Sequence, residues 1–264
     1  MNKEQIVTNL KEIRKKKPLV HNITNYVVMN NTANALLAIG ASPVMAHALQ
    51  EVKDMVAIAS SLVINMGTLS EKWVKAMLLA GEAAHAKGIP VIFDPVGVGA
   101  TPYRNKVAAL IISKCNPTII RGNASEIMSL VKENVMTKGV DSTASSSSAL
   151  NAAKQLAQQT NAIVIISGIE DFITNGYIVH IVKNGSPLMP KVTGMGCTAS
   201  AIVGAFAAVN NNFLEAAVGA MGVMGVSGEL AAKKAEGPGT MQLYFLDELY
   251  KLSGETLLKH INFE

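Results

Sequence analysis

Residues Ser61–Pro95 read SLVINMGTLSEKWVKAMLLAGEAAHAKGIPVIFDP. Two short apolar runs, Ser61–Gly67 and Pro90–Pro95, bracket Glu71–Lys87, whose apolar residues recur at helical spacing around Trp73. A strand apolar on both faces has to be covered on both faces, and a helix joining two such strands makes a parallel crossover. The pattern extends in both directions. Further extended apolar segments fall at Pro18–Ile23, Ser42–Ala46, Pro117–Gly122 and Ala162–Gly168, with another helical stretch at Ser146–Thr160. The expectation is an α/β fold with a mainly parallel central sheet flanked by helices.

After Gly168 the pattern changes. Asn-Gly pairs at Asn175–Gly176 and Asn184–Gly185 sit among β-rich residues and predict hairpins, so an antiparallel meander is expected to close the sheet. The last third reads as helix, broken at Glu236–Thr240 (EGPGT); Thr240–Leu252 carries an apolar stripe suited to core or subunit contact. The Ser-rich stretch Ser142–Ser148 reads as a loop leading into a helix rather than a linker. No repeat appears, and one domain over residues 1–264 is expected.

The chain has 264 residues, 49% hydrophobic and 16% charged, a composition that supports a large core and argues against disorder. Cys197–Val209 and Ala216–Ser227 are apolar but shorter than the ~20 residues that span a bilayer, so buried helices are expected. The N-terminus is charged throughout with no apolar signal region. Two cysteines make no disulfide framework, and a reducing cytoplasm is the expected setting. Net charge is +4, and the one dense basic run, Arg14–Lys17, fits a helix C-terminus better than a nucleic-acid patch. Neither nucleic acid nor membrane is an expected partner.

Open parallel sheets bind ligands beyond the carboxyl ends of their strands. Those ends read Asn65–Thr68, Asp94–Gly97, Arg121–Asn123 and Ser167–Gly168. Lys191–Ser200 (KVTGMGCTAS) adds two glycines before a small-residue helix, a pattern that binds anions through exposed backbone N–H groups and the helix dipole. A plain turn before a buried helix would read the same way. Cys197 opens that helix, where a nucleophile, a metal ligand, a general base or ordinary packing are all open to it. In Arg121–Ile127 (RGNASEI), Asn123 and Glu126 have capping-box spacing. The same Glu126, with Asp94, suits a hydrated Mg²⁺, and Arg121 suits a phosphate. There is no Walker loop, dinucleotide fingerprint or G-x-S-x-G elbow, and the five histidines have no zinc-ligand spacing. The residues alone thus point to an α/β protein that binds a phosphorylated ligand with Mg²⁺. They do not name the substrate.

Four stretches together resemble the hydroxyethylthiazole kinases: Pro18–Ala48 (PLVHNITNYVVMNNTANALLAIGASPVMAHA), Val91–Thr101 (VIFDPVGVGAT), Ile119–Ile127 (IIRGNASEI) and Val192–Phe206 (VTGMGCTASAIVGAF). The resemblance runs from about Pro18 to Gly237. It implies a ribokinase-like three-layer sandwich and transfer of the ATP γ-phosphate, with Mg²⁺, to the primary hydroxyl of 4-methyl-5-(2-hydroxyethyl)thiazole in thiamine salvage. By motif, Gly194 to Cys197, including Gly196, match the anion hole. Arg121 and Ser167 match ATP contacts, and Asp94 and Glu126 match the magnesium-linked acids. Met45 and Gly194 match thiazole contacts, with Asn25 and Gly67 in the same pocket. A homotrimer with substrate near the subunit interfaces is implied as well. Related kinases of the fold carry aspartate as catalytic base where this chain has Cys197. A helix N-terminus is expected to lower the thiol's pKa, making Cys197 a weak base or a pocket wall. Competing readings are a kinase of hydroxymethylpyrimidine or pyridoxal, an ATP- or ADP-dependent NAD(P)H-hydrate dehydratase, and a nucleotide-binding regulator without turnover. The first two would want an acidic residue at position 197.

Overall fold

The structure, a computed structural model, describes residues 2–134 and 146–264. Eight strands form one sheet: β1 (Leu19–Ile23), β2 (Ser42–Val44), β3 (Ser61–Asn65), β4 (Val91–Asp94), β5 (Ile119–Asn123), β6 (Ile163–Ser167), β7 (Asp171–Thr174) and β8 (Val179–Val182). Their order is β2-β1-β3-β4-β5-β6-β7-β8. Every pairing up to β5–β6 is parallel, and the last two are antiparallel. The chain starts in β1, steps to one side for β2, then crosses to the other side for β3. The carboxyl end of β1 is therefore the switch point, the place where open parallel sheets bind ligands.

The central strands alternate between two cores. Leu62 and Ile64 of β3, with Val91 and Phe93 of β4, face α3 (Val52–Ile58), α4 (Glu71–Lys87), α5 (Pro102–Cys115), α6 (Ala124–Asn134) and α7 (Ser146–Thr160). Val63 and Ile92 face the opposite layer. That layer is built from α1 (Lys3–Lys16), α2 (Met29–Ile39), α8 (Met195–Ala207), α9 (Phe213–Ala232), α10 (Pro238–Lys251) and α11 (Gly254–His260). Helices on both faces explain why strands as short as Val91–Asp94 are buried along their whole length. The helix ends follow local chemistry. Ser70 and Thr101 cap α4 and α5 through their side chains, and Pro102 opens α5 where its missing N–H costs nothing.

Three expectations need correction. The Asn175–Gly176 hairpin joins β7 to β8, but no strand follows Asn184–Gly185. Pro187 and Pro190 come next, and proline cannot donate to a ladder; Asn184 instead donates to Glu229 Oε1 and the His260 carbonyl, both at 3.0 Å. The helix expected over Ala216–Ser227 is longer: α9 has 20 residues and is long and apolar enough to cross a membrane, yet 72% of its apolar window is buried inside the protein. Of the Ser-rich loop Ser142–Ser148, residues 142–145 lie outside the described residues, and Ser146 already begins α7.

Candidate active site

α8 begins beside the strand ends, and its N-cap position suits glycine. Gly194 has φ +83°, a left-handed conformation, and a Cβ there would fall 2.7 Å from Val28 Cγ1. Two residues on, a Cβ at Gly196 would fall 2.7 Å from Arg121 Nη1. The bare backbone of the first turn thus lies directly against a guanidinium. Amide N–H groups at a helix start beside a half-buried cation can bind an anion.

Arg121 itself comes from β5 and faces β6. It donates to Ser167 Oγ, and its Nη1 lies 3.7 Å from Asp94 Oδ2. Asp94 ends β4, is 1% exposed, and has its Oδ2 hydrogen-bonded by Ser200 Oγ at 2.7 Å and by Asn65 Nδ2 at 2.9 Å. Burial pushes the Asp94 carboxyl up, against the lowering effects of Arg121, Ser200 and Asn65. Its Oδ1 is buried without any partner. An orphaned carboxylate oxygen beside a phosphate-type cradle suits a hydrated Mg²⁺, which takes one or two carboxylates and lets phosphates complete its shell. Glu126 is more committed. Its Oε2 accepts the Asn123 N–H (2.9 Å) while Asn123 Oδ1 accepts the Glu126 N–H (3.0 Å), so the capping box is real. Its Oε1 accepts the Gly97 N–H at 2.8 Å. Each oxygen keeps a lone pair, and Glu126 is close enough to raise the Asp94 pKa.

The second half of the site lies at the switch point. Asn25, just beyond β1, donates to Asn65 Oδ1 (2.9 Å) and to Cys197 Sγ (3.4 Å). Gly67 N–H donates to the same Asn65 Oδ1 at 3.0 Å. Asn25, Gly67 and Cys197 therefore share one buried amide, and Asn65 links them to Asp94. The Cys197 thiol differs from expectation. Burial, and then the Asp94 charge, push it up to about 11, more than the Asn65 and Asn25 hydrogen bonds and Arg121 lower it. Desolvation outweighs the helix terminus here. The other cysteine, Cys115, is fully buried and its thiol is pushed up to about 12 by burial.

Met45 follows β2 and is half-buried. No hydrogen bond joins it directly to Asn25 or Gly194 among the described residues. Its segment is instead held by histidines: His21 Nε2 meets the Ala46 carbonyl at 2.7 Å and His47 Nδ1 meets the Met45 carbonyl at 3.3 Å. His47 packs on Trp73 (4.6 Å between ring centres), which also carries Tyr26 at 4.7 Å. Asn65 and Ser200 are members of the site that motif reading passes over. Ser200 stands three residues after Cys197 on α8, a spacing that puts both on one helix face.

A family model described as the hydroxyethylthiazole kinase family matches residues 10–255. The hydroxyethylthiazole kinase of Leptospira biflexa is 54% identical over 256 residues, covering 97% of this chain and 96% of its own. The chain belongs to the hydroxyethylthiazole kinase family. As a member of that kinase family it is a phosphotransferase acting on an alcohol. A solved hydroxyethylthiazole kinase structure from Pyrococcus horikoshii superposes with a TM-score of 0.92 at 38% identity, covering 99% of this chain and 98% of that one. Pyridoxal kinase from Staphylococcus aureus in complex with pyridoxal shares the fold alone, with a TM-score of 0.67 at 17% identity over 94% of this chain and 97% of that one. The three-layer ribokinase-like sandwich expected from sequence is the fold observed.

Proposed function

We propose that the chain transfers the γ-phosphoryl group of ATP to the primary hydroxyl of 4-methyl-5-(2-hydroxyethyl)thiazole, with Mg²⁺, as a step of thiamine salvage. The observation that carries this reading is the first turn of α8. On one side it meets Arg121, which is itself tied to Ser167 and Asp94, and on the other Asn25, which joins Cys197 to Asn65. A donor phosphate and an acceptor alcohol would meet across that turn.

The acceptor sits among Asn25, Gly67, Met45 and Gly194 with its hydroxyl beside Cys197. The backbone N–H groups of Gly194–Cys197 cradle the phosphoryl group in transit. Arg121 and Ser167 hold the remaining phosphates, and Arg121 balances their charge. Asp94 Oδ1 and Glu126 would hold Mg²⁺, which when bound would neutralise phosphate charge. Phosphoryl transfer passes through a loose transition state, so positioning and charge stabilisation carry most of the rate. A neutral Cys197 is then sufficient as a pocket wall that orients the hydroxyl, whose proton passes to an oxygen of the transferred phosphoryl group as the new O–P bond forms and the bond to ADP breaks. The whole of residues 1–264 works as one kinase unit in the cytoplasm, as a homotrimer.

ADP release by the purified protein tests the reading. The thiazole alcohol, hydroxymethylpyrimidine and pyridoxal are offered separately with ATP and Mg²⁺. Turnover with the thiazole alone is expected, abolished by a chelator and restored by Mg²⁺. Turnover only with pyridoxal or the pyrimidine, or none with any alcohol despite bound ATP, overturns it.

A further inference from the structure

The first turn of a helix favours acidic side chains, yet α5 has none there and carries Arg104 as its third residue. A cation at that position opposes the helix dipole. No ion pair among the described residues involves Arg104. Its guanidinium instead turns onto main-chain carbonyls of two different loops. Nη1 donates to Met66 O and Val96 O, both at 2.6 Å, and Nη2 donates to Gly67 O at 2.7 Å. Three carbonyls met by two nitrogens of one planar group suit the fixed donor fork of arginine. The backbone beneath is fixed by Thr101 Oγ1, which accepts the Arg104 N–H at 3.2 Å.

Those carbonyls belong to the two loops that carry the site. Met66 and Gly67 follow β3, and the Gly67 N–H shares Asn65 Oδ1 with Asn25 on the acceptor side. Val96 follows β4, and its neighbour Gly97 donates to Glu126 Oε1 on the carboxylate side. One half-buried side chain, outside the cradle and pocket, thus ties both halves of the site to a common anchor.

We infer that Arg104 is a positioning residue that locks the β3–α4 and β4–α5 loops together, so that the acceptor pocket and the carboxylate side of the nucleotide site are set by one contact. The inference rests on the site reading given above. Displacing a reacting group by about 1 Å can cost about 100-fold in rate. A lock shared by both loops therefore predicts coupled losses rather than a single weakened ligand.

The test compares Arg104→Gln, Arg104→Lys and Arg104→Ala in steady-state kinetics, thermal melting and amide hydrogen exchange without ligands. Arg104→Gln is expected to raise the KM for the thiazole and the half-saturating Mg²⁺ concentration together, and to lower kcat/KM roughly 10–100-fold. Its amide exchange should quicken at 66–68 and 96–98. Arg104→Lys, with the charge but without the fork, should recover part of both, and added guanidinium ion should restore both to Arg104→Ala along one saturation curve. Should Arg104→Ala fail to fold, Arg104→Lys and Arg104→Gln carry the comparison. A lower melting temperature with unchanged KM for thiazole and unchanged Mg²⁺ dependence makes Arg104 a scaffold residue and overturns the inference, as does unchanged exchange in both loops. Wild-type protein inactive on the thiazole sinks the site reading instead, while the exchange data still judge the lock.

Discussion

A thiol whose pKa is pushed up to about 11 is about 1% thiolate at pH 9. If Cys197 had to ionise to accept a proton, kcat would climb about tenfold per pH unit from 7 to 9. The neutral-wall reading predicts a flat kcat over that range and no more than a threefold or so change in Cys197→Ser, a small neutral replacement. A pH–rate profile on both proteins decides it. Gly194→Ala is the contrasting case. It forces a Cβ into left-handed backbone, which costs about 1–2 kcal/mol, and sets it against Val28. A lower melting temperature and a kcat down by at least about tenfold are expected, since the displaced amides are those of the proposed phosphoryl cradle; wild-type kcat would remove Gly194 from that cradle. The glycines of this cradle are legible in sequence because their spacing is local. Asn65 and Ser200 are not. Their value comes from strand register, which pairs Asn65 with Asp94, and from the packing of α8 on β4. The depressed thiol expected at the helix start fails for the same kind of reason: burial beside Asp94 is a tertiary fact.

At the scale of elements, the turn from β6 to β7 stores a measurable penalty. Asp171 accepts the Gly168 N–H at 3.1 Å, and burial raises its pKa from the ordinary 3.8 to about 6. The folded state therefore holds its proton more tightly than the unfolded one between those values. Stability from this group falls as pH rises from about 4 to about 6, and the penalty, roughly 3 kcal/mol at most, persists at higher pH. Asp171→Asn keeps an acceptor for Gly168 and loses the charge. Urea unfolding should show it more stable than wild type at pH 8, with the gap closing near pH 4; a gap that widens on acidification would reverse the sign and refute the account. At the start of α5, Thr101→Ala should cost about 1 kcal/mol, the usual worth of an N-cap, read as a shift in the same urea midpoint. The elements themselves were largely readable. Unbroken apolar runs between helical stretches mark covered parallel strands, and Asn175–Gly176 marks the β7–β8 turn. Asn184–Gly185 misleads because a turn dipeptide says nothing about whether the following residues, here Pro187 and Pro190, can pair.

For the whole molecule, the surface next to the pocket bears on assembly. Tyr26 and Val27, directly after Asn25, are 65% and 63% exposed, although Tyr26 stacks on Trp73, itself only 4% exposed. Adjacent exposed apolar side chains beside the pocket are candidates for a contact surface. In a homotrimer this rim would be covered by a second copy, which would shield the acceptor alcohol from water and complete the pocket wall. Sedimentation should give about 83 kDa, three times the chain's 27.8 kDa. Tyr26→Asp places a charge where burial would desolvate it, at a cost of several kcal/mol, enough to dissociate a modest interface. The variant should sediment as a monomer, keep its melting cooperativity, and lose affinity for the thiazole more than for ATP, because the exposed rim adjoins Asn25 and not Arg121. Trimers that survive Tyr26→Asp would move the interface to another face, such as α10, where Leu243 and Tyr250 are also exposed. A wild-type protein that sediments as a monomer would leave the pocket wall to this chain alone.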